Sequence, residues 1–158
     1  MSLSIRELNY DNLDELRKLE SALKNWFANP KELNFTASEM QYPFDMKKWI
    51  NINYRLNKIQ TVVLWKDSWI IGYGGVKFLE KNSRAHIAQI YLDPDYRGKS
   101  FRKKIINYIE NISTKNKKST LSITAMKKDA SARELYQSLG FNEIEVSGNK
   151  IAMEKKIS

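Results

Sequence analysis

The stretch from residue 84 to residue 112 constrains the fold most, because a strand pattern there passes directly into a helix pattern. Residues 84–92 read as a strand, which the turn Asp93-Pro94-Asp95 ends. After Gly98, apolar residues recur at helical spacing on one face, and Lys and Asn residues occupy the other faces. A strand that feeds an amphipathic helix through a short turn predicts a domain in which helices pack on a sheet.

Strand and helix patterns alternate along the rest of the chain. Short apolar runs bounded by turn residues predict strands at 4–10, 59–65, 69–79, 84–92 and 119–125, and a final hairpin at 141–157. Helical spacing predicts helices after Asp11, over 45–56, after Gly98 and over 130–139. Asp11 is placed to cap the first of these helices. The order is β-α-α-β-β-β-α-β-α-β-β. It predicts one mixed α/β (α+β) domain over residues 1–158, in which helices flank a mixed central sheet.

Residues 28–44, between the first two predicted helices, keep neither period. Pro30 and Pro43 bracket the segment, which still holds several apolar side chains. Long irregular segments inside compact domains are often functional loops. We therefore predict an irregular loop here with a part in function.

Composition excludes several classes of protein and site. A chain of 158 residues that is 42% hydrophobic can bury one core, which argues against disorder. It has no Cys and a single His, His86, so disulfides, thiol nucleophiles, Cys-based metal centres and His-cluster metal sites are excluded. The longest apolar runs are too short to span a membrane, and the N-terminal residues do not resemble a signal peptide. We expect a cytoplasmic protein with no membrane partner and no metal.

The formal charge of +9 has two explanations. A basic surface attracts the phosphates of nucleic acids, nucleotide cofactors or acidic membranes. Alternatively, the charge reflects composition bias, because Lys residues are spread along the whole chain. Local clustering of the charges must decide between the two.

The densest basic cluster follows the strand at 84–92, where a turn leads into the next helix. Its five basic residues are Arg97, Lys99, Arg102, Lys103 and Lys104. A strand that feeds a helix N-terminus directs unpaired backbone N–H groups and the positive end of the helix dipole at one spot, which suits a pyrophosphate. Ordinary solvated helix charges are an equally weighted alternative, and glycines are too few for a Walker loop or a dinucleotide fingerprint.

A second informative stretch runs from Asp129 to Phe141. Asp129 is placed to cap a helix in which Ala132 and Tyr136 lie one turn apart on nearly the same face. Gly140 then stops that helix. Taken alone, this is an ordinary capped helix with a tyrosine in the core.

Together and in this order, the two stretches resemble the motifs of the GCN5-related N-acetyltransferase (GNAT) family. In that family a turn after the fourth strand reads Gln/Arg-x-x-Gly-x-Gly/Ala, and a later helix reads Asn-x-x-Ala-x-x-Leu-Tyr ahead of Leu-Gly-Phe. The resemblance covers almost the whole chain, because the predicted order of elements is also the family's. Three positions differ: Ser100 and Arg102 stand where Gly and Gly or Ala are usual, and Asp129 stands where Asn is usual.

The resemblance implies an acetyl-CoA-dependent N-acetyltransferase with acetyl-CoA as co-substrate. The resemblance implies that main-chain groups of Ile90 and Leu92, which flank Tyr91, align the acetyl group and the pantetheine arm. It also implies that the Ile90 amide polarises the thioester carbonyl. The other residues implied to lie at the cofactor are Arg97, Gly98, Lys99, Ser100, Phe101, Arg102 and Lys103 in the pyrophosphate turn, and Asp129 and Ala132 beside it.

Two catalytic roles follow from the same resemblance. Tyr136 is implied to protonate the departing CoA thiolate, and a phenol with a pKa of about 10 can do so because the proton moves as the C–S bond breaks. His86 falls at the strand position where some members hold a glutamate that accepts the proton of the amine, and an imidazole suits that task near neutral pH. A structural histidine is the weightier alternative, because many members use water chains instead.

The resemblance also implies that the first two helices, their connecting loop and the last hairpin recognise the acceptor. Aromatic side chains there, with Glu32 and Glu39, would hold an amine through cation–π and ionic contacts. Core packing is the simpler explanation for each aromatic residue. The acceptor is then an amine of a small molecule or of a protein or peptide, and the positive charge disfavours a polyamine unless acidic residues converge.

A rival interpretation keeps the fold but removes the reaction. A non-catalytic acyl-CoA-binding domain, or a nucleic-acid-binding domain, would explain the altered turn at Ser100 and Arg102 and the charge of +9. Tyr136 argues against both alternatives. The sequence leaves the oligomeric state open, with a homodimer among the options.

Overall fold

Seven strands form one sheet at the centre of the fold, in a computed structural model that describes residues 2–37 and 39–158. The strands are β1 Leu3–Glu7, β2 Gln60–Lys66, β3 Trp69–Leu79, β4 Arg84–Leu92, β5 Thr120–Met126, β6 Asn142–Ser147 and β7 Lys150–Lys156. Their order across the sheet is β1-β2-β3-β4-β5-β7-β6. Each neighbouring pair is antiparallel except β4 and β5, which run parallel because a helix lies between them in the sequence and crosses over from one strand to the other.

The described residues form five α-helices, which flank this sheet. They are α1 Leu13–Trp26, α2 Pro30–Thr36, α3 Met46–Ile50, α4 Lys99–Lys115 and α5 Ala130–Ser138. A π-helical stretch, Asn51–Leu56, continues α3 to the end of the helix predicted over 45–56. The mixed α/β prediction is confirmed, and the bounds of β3 and β4 agree with the predicted 69–79 and 84–92. No helix within the described ranges is long and apolar enough to cross a membrane.

The prediction of an irregular loop over 28–44 is wrong for its first half, which forms α2. Pro30 occupies the first turn, where its missing N–H costs no hydrogen bond. The side-chain oxygen of Asn29 accepts a hydrogen bond from the Lys31 amide at 2.9 Å and so caps the helix. Seven residues make only about two turns at 3.6 residues per turn, which is too short for a helical period to stand out in the sequence.

The predicted cap of α1 is also displaced by one residue. We expected Asp11, but the side chain of Asn12 accepts the Glu15 amide hydrogen bond at 3.1 Å. Asn and Asp are about equally good caps, so the sequence alone does not separate the two neighbours.

Apolar cores lie on both faces of the sheet. On one face α4 and α5 pack against the strands, and on the other α1, α2 and α3 do so. Helix α4 lies very close to β3, because a Cβ atom added to Gly74 would stand 2.6 Å from Cγ2 of Ile105. The glycine therefore lets α4 lie directly on the sheet, with its N-terminus beside the end of β4.

The parallel strands β4 and β5 separate before β4 ends. Their pairing runs from Arg84 opposite Thr120 to Ile87 opposite Ile123 and stops there. Ala88 is an extra residue against β3, which marks a β-bulge at the point of separation. The last part of β4 diverges from β5, and a gap opens between the two strands at their carboxyl ends.

Candidate functional site

The gap between β4 and β5 exposes main-chain groups that an ordinary sheet would use for pairing. Ile90, Tyr91 and Leu92 all lie in β4 beyond the last pair with β5. On the other side β4 remains paired with β3, so its shape is fixed. Buried backbone groups need partners, and those that face the gap can find them in an extended ligand. The residues predicted to contact the acetyl group and the pantetheine arm, Ile90, Tyr91 and Leu92, lie at this edge.

The N-terminus of α4 opens onto the same gap without a side-chain cap. The other α-helices formed by the described residues are each capped by a side chain, namely Asn12, Asn29, Asp45 and Asp129. At α4 the cap position is Gly98, which provides none. Its first amides therefore lack partners within the helix, and the dipole adds partial positive charge. Such a terminus is a ready site for a phosphate group.

The two altered positions of the turn are compatible with this geometry. Ser100 and Arg102 both lie within α4, and neither is among the residues with positive φ. The Arg102 amide already donates to the Gly98 carbonyl oxygen at 3.3 Å. Gly98 itself has an extended backbone, and a Cβ atom there would meet no atom within 4 Å. The turn therefore forms without the glycines that are usual in the family.

A cavity of about 290 Å³ lies between the N-termini of α4 and α5. It is lined by Leu92, Arg97, Gly98, Arg102, Asp129, Ser131, Ala132 and Leu135. Six of these were singled out from the sequence; Ser131 and Leu135 were not. Ser131 directly precedes Ala132 in α5, and Leu135 follows it by one turn. Their position in the same sequence motif as Ala132 could have identified them. Asp129 accepts the Ala132 amide hydrogen bond at 3.0 Å, which confirms the predicted cap.

The other predicted cofactor residues lie around this cavity in different ways. Ser100 and Lys103 are exposed on α4, while Phe101 packs edge-on against Tyr96 with ring centroids 5.8 Å apart. Ile90 packs on the core beneath α4 and α5, and Tyr91 is buried on the opposite face of the sheet. The side chain of Lys99 lies outside the described part of the structure.

The Arg97 side chain is hydrogen-bonded to surrounding residues of the chain and is not free in the cavity. Its Nε donates to the Leu92 carbonyl oxygen at 3.2 Å. One Nη atom donates to Glu32 at 3.1 Å and to the Tyr91 hydroxyl at 3.0 Å. Burial raises the pKa of Tyr91, and Glu32 raises it further, while Arg97 acts in the opposite direction. Arg97 thus fastens the end of β4 to α2, a contact that sequence reasoning did not foresee.

Arg102, which lines the cavity, contacts Tyr136 of α5. Nη1 of Arg102 lies 3.1 Å from the hydroxyl oxygen of Tyr136, and the two residues come from the two separate motifs. The Tyr136 side chain is buried, with its ring at 61° to that of Phe141 and the centroids 6.1 Å apart. The predicted acid therefore contacts Arg102, a residue that lines the cavity, and its ring is fixed by packing.

His86 lies on β4 one residue before the pairing with β5 ends. Its Nδ1 is 2.8 Å from Oγ of Ser122 on β5. Burial lowers the pKa of His86, and the positive charges of Arg84 and Lys77 lower it further, so the ring is neutral at neutral pH. Ile90 lies four positions after His86 in β4, about 13 Å away along an extended strand at roughly 3.3 Å per residue. A proton path from the acetyl position to His86 would therefore need intervening water.

A second cavity, of about 250 Å³, lies beside the β4 bulge. Residues from four segments line it, among them Ala37, Glu39, Asn53, Asn57, Lys77, Ala88 and Gln89. We call it the bulge cavity. Its wall contains a buried hydrogen-bond chain in which Tyr73 donates to Gln89 at 3.0 Å and Gln89 donates to Asn53 at 3.0 Å.

The bulge cavity carries balanced charge. Glu39 is its carboxylate and accepts a hydrogen bond from Asn57 at 3.0 Å, and Lys77 is its cation. Acidic residues therefore do not converge there. Glu32, the other acid that the sequence suggested for amine recognition, pairs with Arg97 instead. Within the described ranges no three His, Cys, Asp or Glu side chains are arranged to hold a metal ion.

Comparison with known proteins gives a consistent family and fold. The model of the acetyltransferase (GNAT) family matches residues 20–141. Spermidine N(1)-acetyltransferase of Thermoplasma acidophilum is 24% identical over 162 residues, which cover 99% of this chain and 98% of that protein.

Two solved structures illustrate the likeness in fold. The PaiA N-acetyltransferase of Thermoplasma acidophilum, in complex with coenzyme A, superposes with a TM-score of 0.68 at 23% identity and covers 99% of both chains. The ribosomal-protein-S18-alanine N-acetyltransferase of Escherichia coli superposes with a TM-score of 0.72 at 18% identity, covering 99% of this chain and 95% of that one. At these identities the likeness establishes the fold alone.

Proposed function

The chain belongs to the acetyltransferase (GNAT) family, and we propose that it transfers the acetyl group of acetyl-CoA directly to a primary amine held beside it in a ternary complex. Family membership makes it an acyltransferase with acetyl-CoA as co-substrate. The uncapped N-terminus of α4, beside the gap between β4 and β5, carries the proposal. We propose further that residues 1–158 form one N-acetyltransferase domain and that the protein is cytoplasmic.

Acetyl-CoA fits the cleft through complementary chemistry. Its pyrophosphate would lie on the free amides of the first turn of α4, where the dipole and the basic side chains of that turn favour an anion. Its pantetheine arm contains amides, which can pair with the β4 edge at Ile90 and Leu92 as another strand would. Ala132 and Ser131 would border it on the α5 side.

The reaction in this arrangement is a direct displacement. The nitrogen lone pair attacks the thioester carbonyl carbon, a C–N bond forms, and the C–S bond breaks with its electron pair on sulfur. The Ile90 amide would stabilise the carbonyl oxygen as it gains negative charge, and the Tyr136 hydroxyl would give its proton to sulfur. An acyl-enzyme through a thiol has no place here, because the chain contains no Cys.

The proton that leaves the nitrogen needs an acceptor. His86 is neutral and can take a proton, but its distance from Ile90 requires water between them. We therefore propose a water-linked route in which His86 is an optional terminus. Its hydrogen bond to Ser122 serves the sheet equally well without any catalytic part.

The acceptor amine would reach the thioester from the bulge cavity, since Ala88 and Gln89 line it immediately before Ile90. The Thermoplasma acidophilum relative is named for spermidine, which makes a polyamine one candidate. The cavity lining holds one carboxylate, Glu39, and one cation, Lys77, and this balance favours instead an amine with few other positive charges. A small monoamine and a peptide N-terminus both meet that description.

A CoA-release assay tests the proposal. The chain has no Cys, so a thiol reagent added to the reaction reports only the CoA formed. We expect CoA release that depends on added amine, with an equal amount of acetylated amine by mass spectrometry, for at least one of spermidine, a monoamine and a short peptide. Acetyl-CoA binding without amine-dependent release would favour the non-catalytic rival. Nucleic-acid binding that weakens steeply with salt, without acetyl-CoA binding, would favour the other rival.

A further inference from the structure

Arg102 joins the two helices that border the cofactor cleft. It lies in the second turn of α4, and its Nη1 atom is 3.1 Å from the hydroxyl oxygen of Tyr136 in α5. The contact is partly buried, and Arg102 also lines the cavity between the two helices. A small residue at position 102, as the family usually has, could not reach Tyr136. The contact is therefore a property of this chain.

The chemistry of the two groups fixes the direction of this hydrogen bond. A guanidinium has only donors, whereas a phenol hydroxyl has one donor and two acceptor positions. Arg102 must therefore donate, and the Tyr136 oxygen must accept. The proton of Tyr136 is thereby turned away from Arg102 and remains available for another acceptor.

The packing around Tyr136 limits where its hydroxyl proton can point. Among the side chains that the structure describes, no second group hydrogen-bonds the Tyr136 hydroxyl. The ring is held by the packing against Phe141 and by its place in the core beneath α4 and α5. With the ring fixed and one lone pair occupied by Arg102, the hydroxyl has a restricted set of orientations.

We propose that Arg102 is a positioning residue, which orients the Tyr136 hydroxyl as proton donor to the CoA sulfur and balances the phenolate that the transfer leaves behind. The proposal rests on the function proposed above, in which Tyr136 is the acid. As the C–S bond breaks, its electron pair stays on sulfur, the O–H proton moves to sulfur, and the phenolate faces the Arg102 cation. The proton released from the acetylated nitrogen then restores the hydroxyl through solvent.

A charge beside the phenolate matters because the contact between Arg102 and Tyr136 is partly buried. Charge-assisted hydrogen bonds are about twice as strong as neutral ones. The contact therefore strengthens as proton transfer proceeds, since a neutral acceptor becomes an anion. An interaction that grows toward the transition state raises kcat rather than substrate affinity.

Two substitutions of Arg102 separate this role from simple phosphate binding. Arg102→Met keeps the length of the side chain but has no donor, and Arg102→Lys keeps a positive donor. We expect Arg102→Met to lower kcat by at least about tenfold, with the acetyl-CoA Kd from calorimetry raised by no more than about threefold. Arg102→Lys should recover a large part of kcat. Lys115→Met, which removes one exposed cation from the far end of α4, is the matched control.

A double-mutant cycle decides whether Arg102 acts through Tyr136. If it does, Arg102→Met should lower kcat little further in a Tyr136→Phe background, because the hydroxyl it orients is gone. Independent effects that multiply in the double variant would overturn the proposal, as would a loss confined to acetyl-CoA affinity. Failure of the underlying function is distinguishable, since Tyr136→Phe alone would then leave kcat unchanged. Unaltered circular dichroism and Tm in each variant exclude misfolding as the cause.

Discussion

Arg97 donates a hydrogen bond to Glu32 across 3.1 Å, and this ion pair joins the turn after β4 to α2. The positive charge of Arg97 is therefore partly balanced by a carboxylate before any anion enters the cleft. Both side chains remain partly exposed, so the pair contributes little to stability. Its larger consequence is for the electrostatic potential at the N-terminus of α4.

Replacing Glu32 by Gln should tighten acetyl-CoA binding. Loss of the carboxylate leaves Arg97 with more uncompensated charge near the expected pyrophosphate position, and exposed pairs of this kind change free energies by about 0.2–1 kcal/mol. We expect the Kd to fall by about two- to fivefold at low salt and the effect to fade at high salt. Calorimetric titration measures this. The control is Glu20→Gln, which breaks an exposed ion pair with Lys24 on α1 and should leave the acetyl-CoA Kd unchanged. Weaker acetyl-CoA binding by Glu32→Gln would contradict the account.

Replacing Tyr136 by Phe should slow the chemical step. The variant keeps the ring that packs on Phe141 but loses the hydroxyl that would protonate sulfur. General acid catalysis typically contributes about 10²- to 10⁴-fold, so we expect kcat to fall by at least about 10²-fold with the acetyl-CoA Kd nearly unchanged. Steady-state kinetics with saturating substrates measures kcat directly. An unchanged kcat would remove Tyr136 from the mechanism.

Replacing His86 by Gln should alter how stability depends on pH. Burial, with Arg84 and Lys77, lowers the pKa of His86 below its ordinary 6.5, so the unfolded chain takes up its proton at a higher pH than the folded protein does. The wild type should therefore lose stability as the pH drops through 6.5 toward the folded pKa, and this loss should level off below it. The Gln variant lacks this loss. Urea unfolding between about pH 8 and about pH 5, on either side of the ordinary histidine pKa of about 6.5, should show the stability of the wild type falling relative to that of the variant. A constant difference between the two proteins would refute the prediction.

Adding a methyl group at Gly74 should destabilise the fold. The new Cβ would stand 2.6 Å from Cγ2 of Ile105 and 3.1 Å from Cδ1 of Ile109, so α4 would have to move away from β3. Overpacking of this kind costs about 1–3 kcal/mol of unfolding free energy. Gly98→Ala is the matched control, because nothing lies within 4 Å of its Cβ. Denaturant unfolding measures the stability of both variants. An equal loss of unfolding free energy in the two would contradict the account.

Long periodic segments made much of the fold predictable. β3, β4 and α4 each extend over enough residues for their apolar period to dominate, and their neighbours are turn-forming residues. Helix α2 has only seven residues, and its signal was the Asn29-Pro30 start rather than any period. Short elements are specified by caps and tertiary contacts, which a periodicity argument does not detect.

The site could be predicted in part, because its two motifs are local in sequence. Asp129 as a cap and the basic turn after Gly98 both follow from neighbouring residues. The contact between Arg102 and Tyr136 joins residues 34 apart, and it depends on how α4 and α5 pack. The gap between β4 and β5 likewise arises from where pairing stops, which no local pattern records.

Acetyl-CoA titration of a Ser100→Glu variant tests the central claim most directly. Ser100 is exposed in the first turn of α4. An added carboxylate there interacts favourably with the positive end of the helix dipole, so the substitution should preserve the fold. The same carboxylate would repel a pyrophosphate bound to the free amides of that turn. We predict that the acetyl-CoA Kd of Ser100→Glu is at least about tenfold higher than that of the wild type, equivalent to about 1.4 kcal/mol. The control is Asn111→Glu, which adds the same charge on an exposed later turn of α4 and should bind acetyl-CoA as the wild type does. Equal affinity of Ser100→Glu and wild type would contradict the proposal that this terminus holds the cofactor.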